Sequence, residues 1–343
     1  MKAAVIYENG DLDQIKVDDV PEPELEEGEV LIEVKAAALN HLDIWVRKGR
    51  PGLKLPSPHI LGSDACGIVK KGSKDLKHVK NGDRVLINPG VWCGACEYCL
   101  RGEQNICPGY GIIGMARPGT FAKQVTVPSE NVYPVPEHLN DSEAAALPLD
   151  HLTAWRMLMS RAKLLPGETV LIHGIGGGAA LAGMQIAKLA GARVLATSSS
   201  NEKLKKAGDL GADEGINYNE SKDVGKEARE WTNGRGFDVI FDSVGGATWE
   251  ANFKAIRRGG RIVHCGVTGG AEAQVNISAL YWNQVSVLGS TMGSQEEFRQ
   301  MLNAVEANGI RPLVDSVTPL GKIKQCMERM EKGEQFGKIV VTP

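Results

Sequence analysis

The chain has 343 residues, enough for two domains with separate cores, and its 42% hydrophobic and 24% charged residues are ordinary for a globular protein. A formal net charge of −3 leaves no basic footprint for nucleic acid or a membrane surface, and no stretch approaches the length of a transmembrane helix. The N-terminus, Met1 to Tyr7, has no long apolar run or cleavage site, so a soluble, cytoplasmic protein is expected.

To about residue 150 the chain alternates short apolar runs with Gly and Pro. Val30–Val34, Gly67–Val69, Arg84–Ile87 and Phe121–Val127 predict a compact antiparallel β domain. Inserted in it is Cys93-Gly-Ala-Cys96-Glu-Tyr-Cys99, followed by Cys107. Four thiolates close a tetrahedral shell around zinc and leave no open position, so such a site is structural. Gly94, Pro108 and Gly109 supply the turns that wrap a single ion. Two disulfides or unlinked thiols are the alternatives; with no sign of an oxidising compartment, one structural zinc per chain is favoured. Cys66, Cys265 and Cys326 are scattered and read as ordinary buried thiols.

From Thr169 the grammar changes. Thr169–His173, Arg193–Thr197, Asp238–Asp242, Arg261–Cys265 and Val285–Gly289 are short apolar runs, and most intervals between them have a helical pattern, as in Ala179–Ala190. Strands alternating with helices predict an α/β unit with a parallel sheet covered on both faces. The first of these strands runs into Gly174-Ile-Gly176-Gly177-Gly178-Ala179, where glycines let the backbone approach a pyrophosphate at a helix N-terminus. Gly174, Gly176 and Ala179 match G-x-G-x-x-G/A; a register one residue later, from Ile175 to Ala180, fits equally. At the next strand end, where an acid would select the ribose 2′-hydroxyl of NAD, stand Ser198, Ser199 and Lys203. Serines and a lysine can bind a 2′-phosphate, which favours NADP(H) over NAD(H). The plainer alternative is that Ser198–Ser200 cap the next helix. The tail has a helix around 296–308 and a final strand, Gly337–Val341, that returns to the first domain. The expected division is therefore 1–150, completed by 292–343, around a nucleotide-binding domain at 151–291.

These features together resemble the medium-chain dehydrogenase/reductase superfamily, the zinc alcohol dehydrogenases and their quinone reductase relatives, over essentially the whole chain. The resemblance implies a GroES-like β domain plus a Rossmann doubly wound parallel sheet, with the active site in the cleft between them. It also locates a departure. Alcohol dehydrogenases of the family hold a catalytic zinc through a Cys in a Cys-His-Thr-Asp-like segment, a His in Gly-His-Glu, and a Cys or Asp before the Rossmann domain. The corresponding segments here are Asn40-His41-Leu42-Asp43, Gly62-Ser63-Asp64 and Asp150. Asn and Ser are poor zinc ligands beside thiolate and imidazole. Leu42 and Trp45 stand where the family's proton relay is expected and cannot carry protons. Asn40, Asp43 and Arg47 instead match the Asn-x-x-Asp/Glu pattern of zinc-free quinone reductases, which generally lack a cysteine lobe.

The expectation that follows is an NAD(P)H-dependent oxidoreductase without the usual catalytic zinc, passing hydride to a quinone or an enone or enal double bond. In that reading Asn40 and Ser63 donate to the developing oxyanion, Asp150 belongs to the same centre, and Asp43 orients its neighbours. Trp45 lines an apolar substrate slot. His41 lies near the cofactor pyrophosphate, with a packed or solvated histidine as the alternative, and His151 is a candidate proton donor. Asp64 and Asp150 are the candidate ligands should a weak second metal bind. The rivals are an alcohol or aldehyde dehydrogenase, an acrylyl- or enoyl-CoA reductase, and a non-catalytic NADPH-binding redox sensor. The resemblance further implies a homodimer or homotetramer, with Val285–Gly289 as the candidate edge.

Overall fold

In the computed structural model, which describes residues 1–49, 52–72 and 79–343, the chain folds as two compact units, Met1–Leu152 with Gly293–Pro343, and Thr153–Met292. The first is organised around strand Glu29–Ala38. Its sequence, EVLIEVKAAA, alternates at first and then runs through small buried residues, as a strand with neighbours on both sides requires. The main sheet runs Val132–Pro134, Arg84–Ile87, Asp64–Gly72, Glu29–Ala38, Lys338–Thr342, Val314–Pro319, with Gln124–Pro128 also pairing Glu29–Ala38. Every pairing is antiparallel except Val314–Pro319 with Lys338–Thr342, which is parallel and joined through helix Ile323–Glu331. The expected return of the C-terminal strand is thus observed, while a purely antiparallel domain is not.

Register decides what this sheet presents at one end. Val340 pairs with Ala38 and Val341 with Ala37, so two residues further along Lys338 faces Asn40. On the other side of the same strand, Ala38 pairs with Asp64. Three polar residues, distant in sequence, are thereby delivered to one strand end. The cysteine lobe projects between Gly90–Val91 and Gly111–Ile112, a short antiparallel pair that closes its base.

The second unit is a six-stranded parallel sheet in the order Glu214–Asn217, Arg193–Ser198, Thr169–Ile172, Phe237–Asp242, Ile256–His264, Ser286–Gly289. Leu171, Leu195, Phe237, Ile240 and Ile262 form its buried core, each side chain worth about 1.5–3 kcal/mol of burial. Glu214–Asn217 was not anticipated: EGIN is an edge strand with one fully buried residue, too weak a pattern to read. Ile256–His264 starts earlier than expected because its first half, IRRGG, carries charge and glycine rather than an apolar run. Helix Gly178–Leu189 lies close on the sheet, since a Cβ at Gly183 would sit 3.0 Å from the Phe241 ring. Strand order reverses between Thr169–Ile172 and Phe237–Asp242, the switch point outside which such sheets bind ligands. No helix among the described residues is long and apolar enough to cross a membrane.

Candidate active site and cofactor loop

Within the first unit, Lys338 Nζ lies 2.5 Å from Asn40 Oδ1, 3.0 Å from Asp150 Oδ2 and 3.3 Å from Asp64 Oδ2. Asn40 donates its amide to Asp64 Oδ2 at 2.9 Å, and the Leu149 N–H donates to Asp64 Oδ1 at 3.0 Å. Asp43, at the start of helix His41–Lys48, accepts from the backbone N–H groups of Asn40 and Gly62 at 2.7 and 3.2 Å. Asn40, Asp43, Asp64, Asp150 and Lys338 are all buried. Asn40, Asp64 and Asp150, one from each segment where the resemblance suggested a metal ligand, are therefore gathered around an ammonium that sequence reasoning missed. Nothing in Gly337–Val341 signals it: the strand reads as apolar, and its lysine lies hundreds of residues from its partners.

Electrostatics follow from the crowding. Burial pushes the Asp43 carboxyl up to about 7, against the pull of its backbone donors, and Asp64 up to about 6, with Lys338 and Asn40 opposing. Burial alone would lower Lys338; Asp150 and Asp64 outweigh it and hold the ammonium above its usual range. An ammonium has three N–H donors, and three oxygens surround this one. Ser63, next to Asp64 in sequence, has a fully buried hydroxyl with no hydrogen-bond partner among the described residues.

The flanking residues fall out as follows. His41 and Trp45 are half-buried on one helix, ring centroids 6.4 Å apart, and burial lowers the His41 pKa. His151 is buried. Arg47 is fully buried, donating to Gly10 O at 3.2 Å and to the Glu331 carboxylate, which ties its helix to Ile323–Glu331. Its role is thus to anchor the helix that carries Asn40 and Asp43.

In the cysteine lobe the sulfurs of Cys93, Cys96, Cys99 and Cys107 all lie within 4.8 Å of one another. The separations Cys96–Cys99 and Cys93–Cys107 are 3.5 Å, and Cys93–Cys99 is 3.9 Å. Zn–S bonds of 2.3 Å in a tetrahedron give sulfur edges of about 3.8 Å, whereas a disulfide needs about 2 Å. The thiols are free, and the set fits zinc.

In the second unit Gly174 and Gly176 adopt φ +69 and +130, conformations that disfavour side chains, and Gly177 caps helix Gly178–Leu189 without a side-chain acceptor. The first-turn N–H groups of Gly178 and its successors are then available to a phosphate. At the next strand end, Ser200 caps helix Asn201–Asp209 by accepting the Lys203 N–H, and the buried Ser198 hydroxyl accepts the Ser200 N–H. The capping alternative holds for Ser200, while Ser198 supports the capping residue; Ser199 is exposed and Lys203 half-buried.

Comparison with known proteins identifies the scaffold. The profile of the alcohol dehydrogenase GroES-like domain matches residues 26–137, and that of the zinc-binding dehydrogenases matches 178–307. An alcohol dehydrogenase of Geobacillus stearothermophilus is 36% identical over 99% of this chain and 98% of its own length. The chain belongs to the medium-chain dehydrogenase/reductase superfamily. A quinone oxidoreductase of Mus musculus is 30% identical over 99% of this chain and 97% of its own. A solved NAD-dependent alcohol dehydrogenase superposes with a TM-score of 0.96 at 43% identity, covering all of both chains. This member of the superfamily is accordingly an NAD(P)-dependent oxidoreductase with a GroES-like unit and a Rossmann unit.

Proposed function

We propose that this enzyme reduces a quinone or an activated C=C of the enone or enal type, with one structural zinc at the four cysteines and none at the Asn40–Asp150 centre. The observation that carries the reading is the Lys338 ammonium, held by Asn40, Asp64 and Asp150. A divalent cation there would meet a fixed positive charge at bonding distance, and Asn40 and Ser63 offer it weak donors. Without a Lewis acid, hydride addition to an isolated carbonyl lacks its usual stabilisation of the alkoxide. A conjugated acceptor spreads that charge to a distant oxygen, where a neutral donor suffices, and the buried, unpartnered Ser63 hydroxyl is the candidate donor. Bound nicotinamide would supply the hydride; the resulting enolate would take its proton from solvent at Cα, and a hydroquinone anion would take it at oxygen.

The absence of an acid among Thr197–Asn201 supports NADPH ahead of NADH, with Ser199 and Lys203 as the 2′-phosphate groups. Assembly as a homodimer or homotetramer is supported by the open sheet edge Ser286–Gly289, where Val287 is 41% exposed. The deciding experiment measures NADPH and NADH oxidation with quinones, enals, enoyl-CoA thioesters and simple aldehydes, beside a zinc count. The expected result is one zinc per chain, turnover on conjugated acceptors and negligible oxidation of ethanol or benzyl alcohol. Two tightly held zincs, or alcohol oxidation lost on chelation and restored by zinc, would overturn the reading. Tight cofactor binding with no acceptor reduced would point instead to a sensor.

A further inference from the structure

The Rossmann unit contains a buried hydrogen-bond chain that hydride transfer itself does not require. Asp242 ends the central strand Phe237–Asp242 and is fully buried. Its Oδ1 accepts the N–H groups of Val244 and Gly245 at 2.7 and 3.1 Å, and its Oδ2 accepts Thr248 Oγ1 at 2.7 Å and Asn252 Nδ2 at 2.6 Å. With its amide given to Asp242, Asn252 turns Oδ1 to His173 Nε2 at 2.8 Å. The opposite orientation would set its carbonyl against a carboxylate, so His173 Nε2 carries the hydrogen. His173 Nδ1 must then accept, and Thr197 Oγ1 lies 3.1 Å away to donate. The same Thr197 oxygen accepts the Gly174 N–H at 3.3 Å. Burial keeps His173 neutral against the pull of Asp242 and Asn252, consistent with a ring that donates on one side and accepts on the other.

The direction of every bond is thus fixed from Asp242 to the first glycine of the cofactor loop. The chain also crosses the sheet where strand order reverses, joining the ends of Thr169–Ile172, Arg193–Ser198 and Phe237–Asp242. Two loops leave those ends side by side, since a Cβ at Gly174 would touch Val244 at 3.4 Å. The second loop is itself confined: Gly245 has φ +98, and a Cβ there would lie 2.5 Å from Gly270 O.

We infer that Asp242, Asn252, His173 and Thr197 are positioning residues for dinucleotide binding, a one-way chain that holds the Gly174–Gly177 loop and the Val244–Gly246 turn in the shape that receives the pyrophosphate. A purely structural chain would stabilise the core without touching affinity, and the two roles separate experimentally. Thr197→Val keeps the shape and removes only the hydroxyl. It is expected to raise the NADPH and NADH dissociation constants about tenfold, with kcat changed by less than about threefold. Thr197→Ser should restore native affinity, and Asn252→Leu should weaken binding as Thr197→Val does. In the unmodified protein, imidazole ¹⁵N spectra should show His173 protonated at Nε2 alone, a readout that needs no variant to fold. Unchanged affinity in Thr197→Val, whatever its melting temperature, or an Nδ1-protonated His173, would overturn the inference.

Discussion

The GroES-like unit holds two clusters of ligating groups, and they solve the same electrostatic problem differently. At Cys93, Cys96, Cys99 and Cys107 four sulfurs converge with nothing of the protein between them, so their charge as thiolates has to be met by an ion from outside. At Asn40, Asp64 and Asp150 the chain brings its own cation, Lys338, on a neighbouring strand. One centre is built from soft donors within a single loop; the other from hard oxygens gathered by sheet register. On the reading proposed above, the second centre keeps the arrangement of a ligand set and meets its charge with a covalently attached cation.

The sharpest break in this comparison is removal of each cation in turn. Stripping zinc, or Cys107→Ser, should cost the lobe its order outright, because metal binding and folding are linked in such sites. One equivalent of zinc should leave together with a large drop in melting temperature, and loss of zinc with no change in melting would contradict a structural role. Lys338→Ala is the matched operation on the second centre. Leaving Asp64 and Asp150 buried without their partner should cost about 3–5 kcal/mol at neutral pH, measured by urea unfolding. Millimolar Mn²⁺ should recover part of that stability in the variant and none in the unmodified protein. A loss below about 0.5 kcal/mol, as for an exposed pair, would mean the ammonium is incidental.

A gentler probe uses protons. The folded-state pKa values of Asp43 and Asp64, about 7 and about 6, lie above the ordinary carboxylate value of 3.8. The native state therefore holds more protons than the unfolded chain between roughly pH 4 and 7. These groups' contribution to stability should fall as pH rises through that window and level off above it, by at most about 1.4 kcal/mol per pH unit for each proton. Asp43→Asn should flatten the slope of unfolding free energy against pH; an identical slope would remove Asp43 from the account. The smallest expected effect lies in the other unit. Ser199→Asp should lower NADPH affinity relative to NADH by about tenfold, and the native preference for NADPH should shrink with salt. Equal native affinities would dismiss the 2′-phosphate assignment.

What could be read in advance divides along the same line as the two clusters. The cysteine lobe was legible because its four ligands lie within one short segment, and spacing alone implies a loop around an ion. The Gly174–Gly178 turn was legible because it follows an apolar strand and opens a helix. Asn40, Ser63 and Asp150 could be placed at one centre only through the family resemblance. Lys338 could not, since its position depends on pairing of Val340 with Ala38, a register that neither strand encodes alone. His173, Asp242 and Asn252 escaped for the same reason, being joined only after two strands and helix Trp249–Ala255 come together.

Lys338 also has a history within each molecule. Asp64 and Asp150 leave the ribosome long before it, and the whole of Thr153–Met292 is synthesised in between. In the folded sheet, strand Lys338–Thr342 stands between Glu29–Ala38 and Val314–Pro319 and brings the two acids their counter-charge. One strand thus joins two parts of the sheet and supplies the centre's cation. The residues of the Rossmann unit are continuous in sequence, whereas the GroES-like unit has its full charge balance only once its last strand has been made.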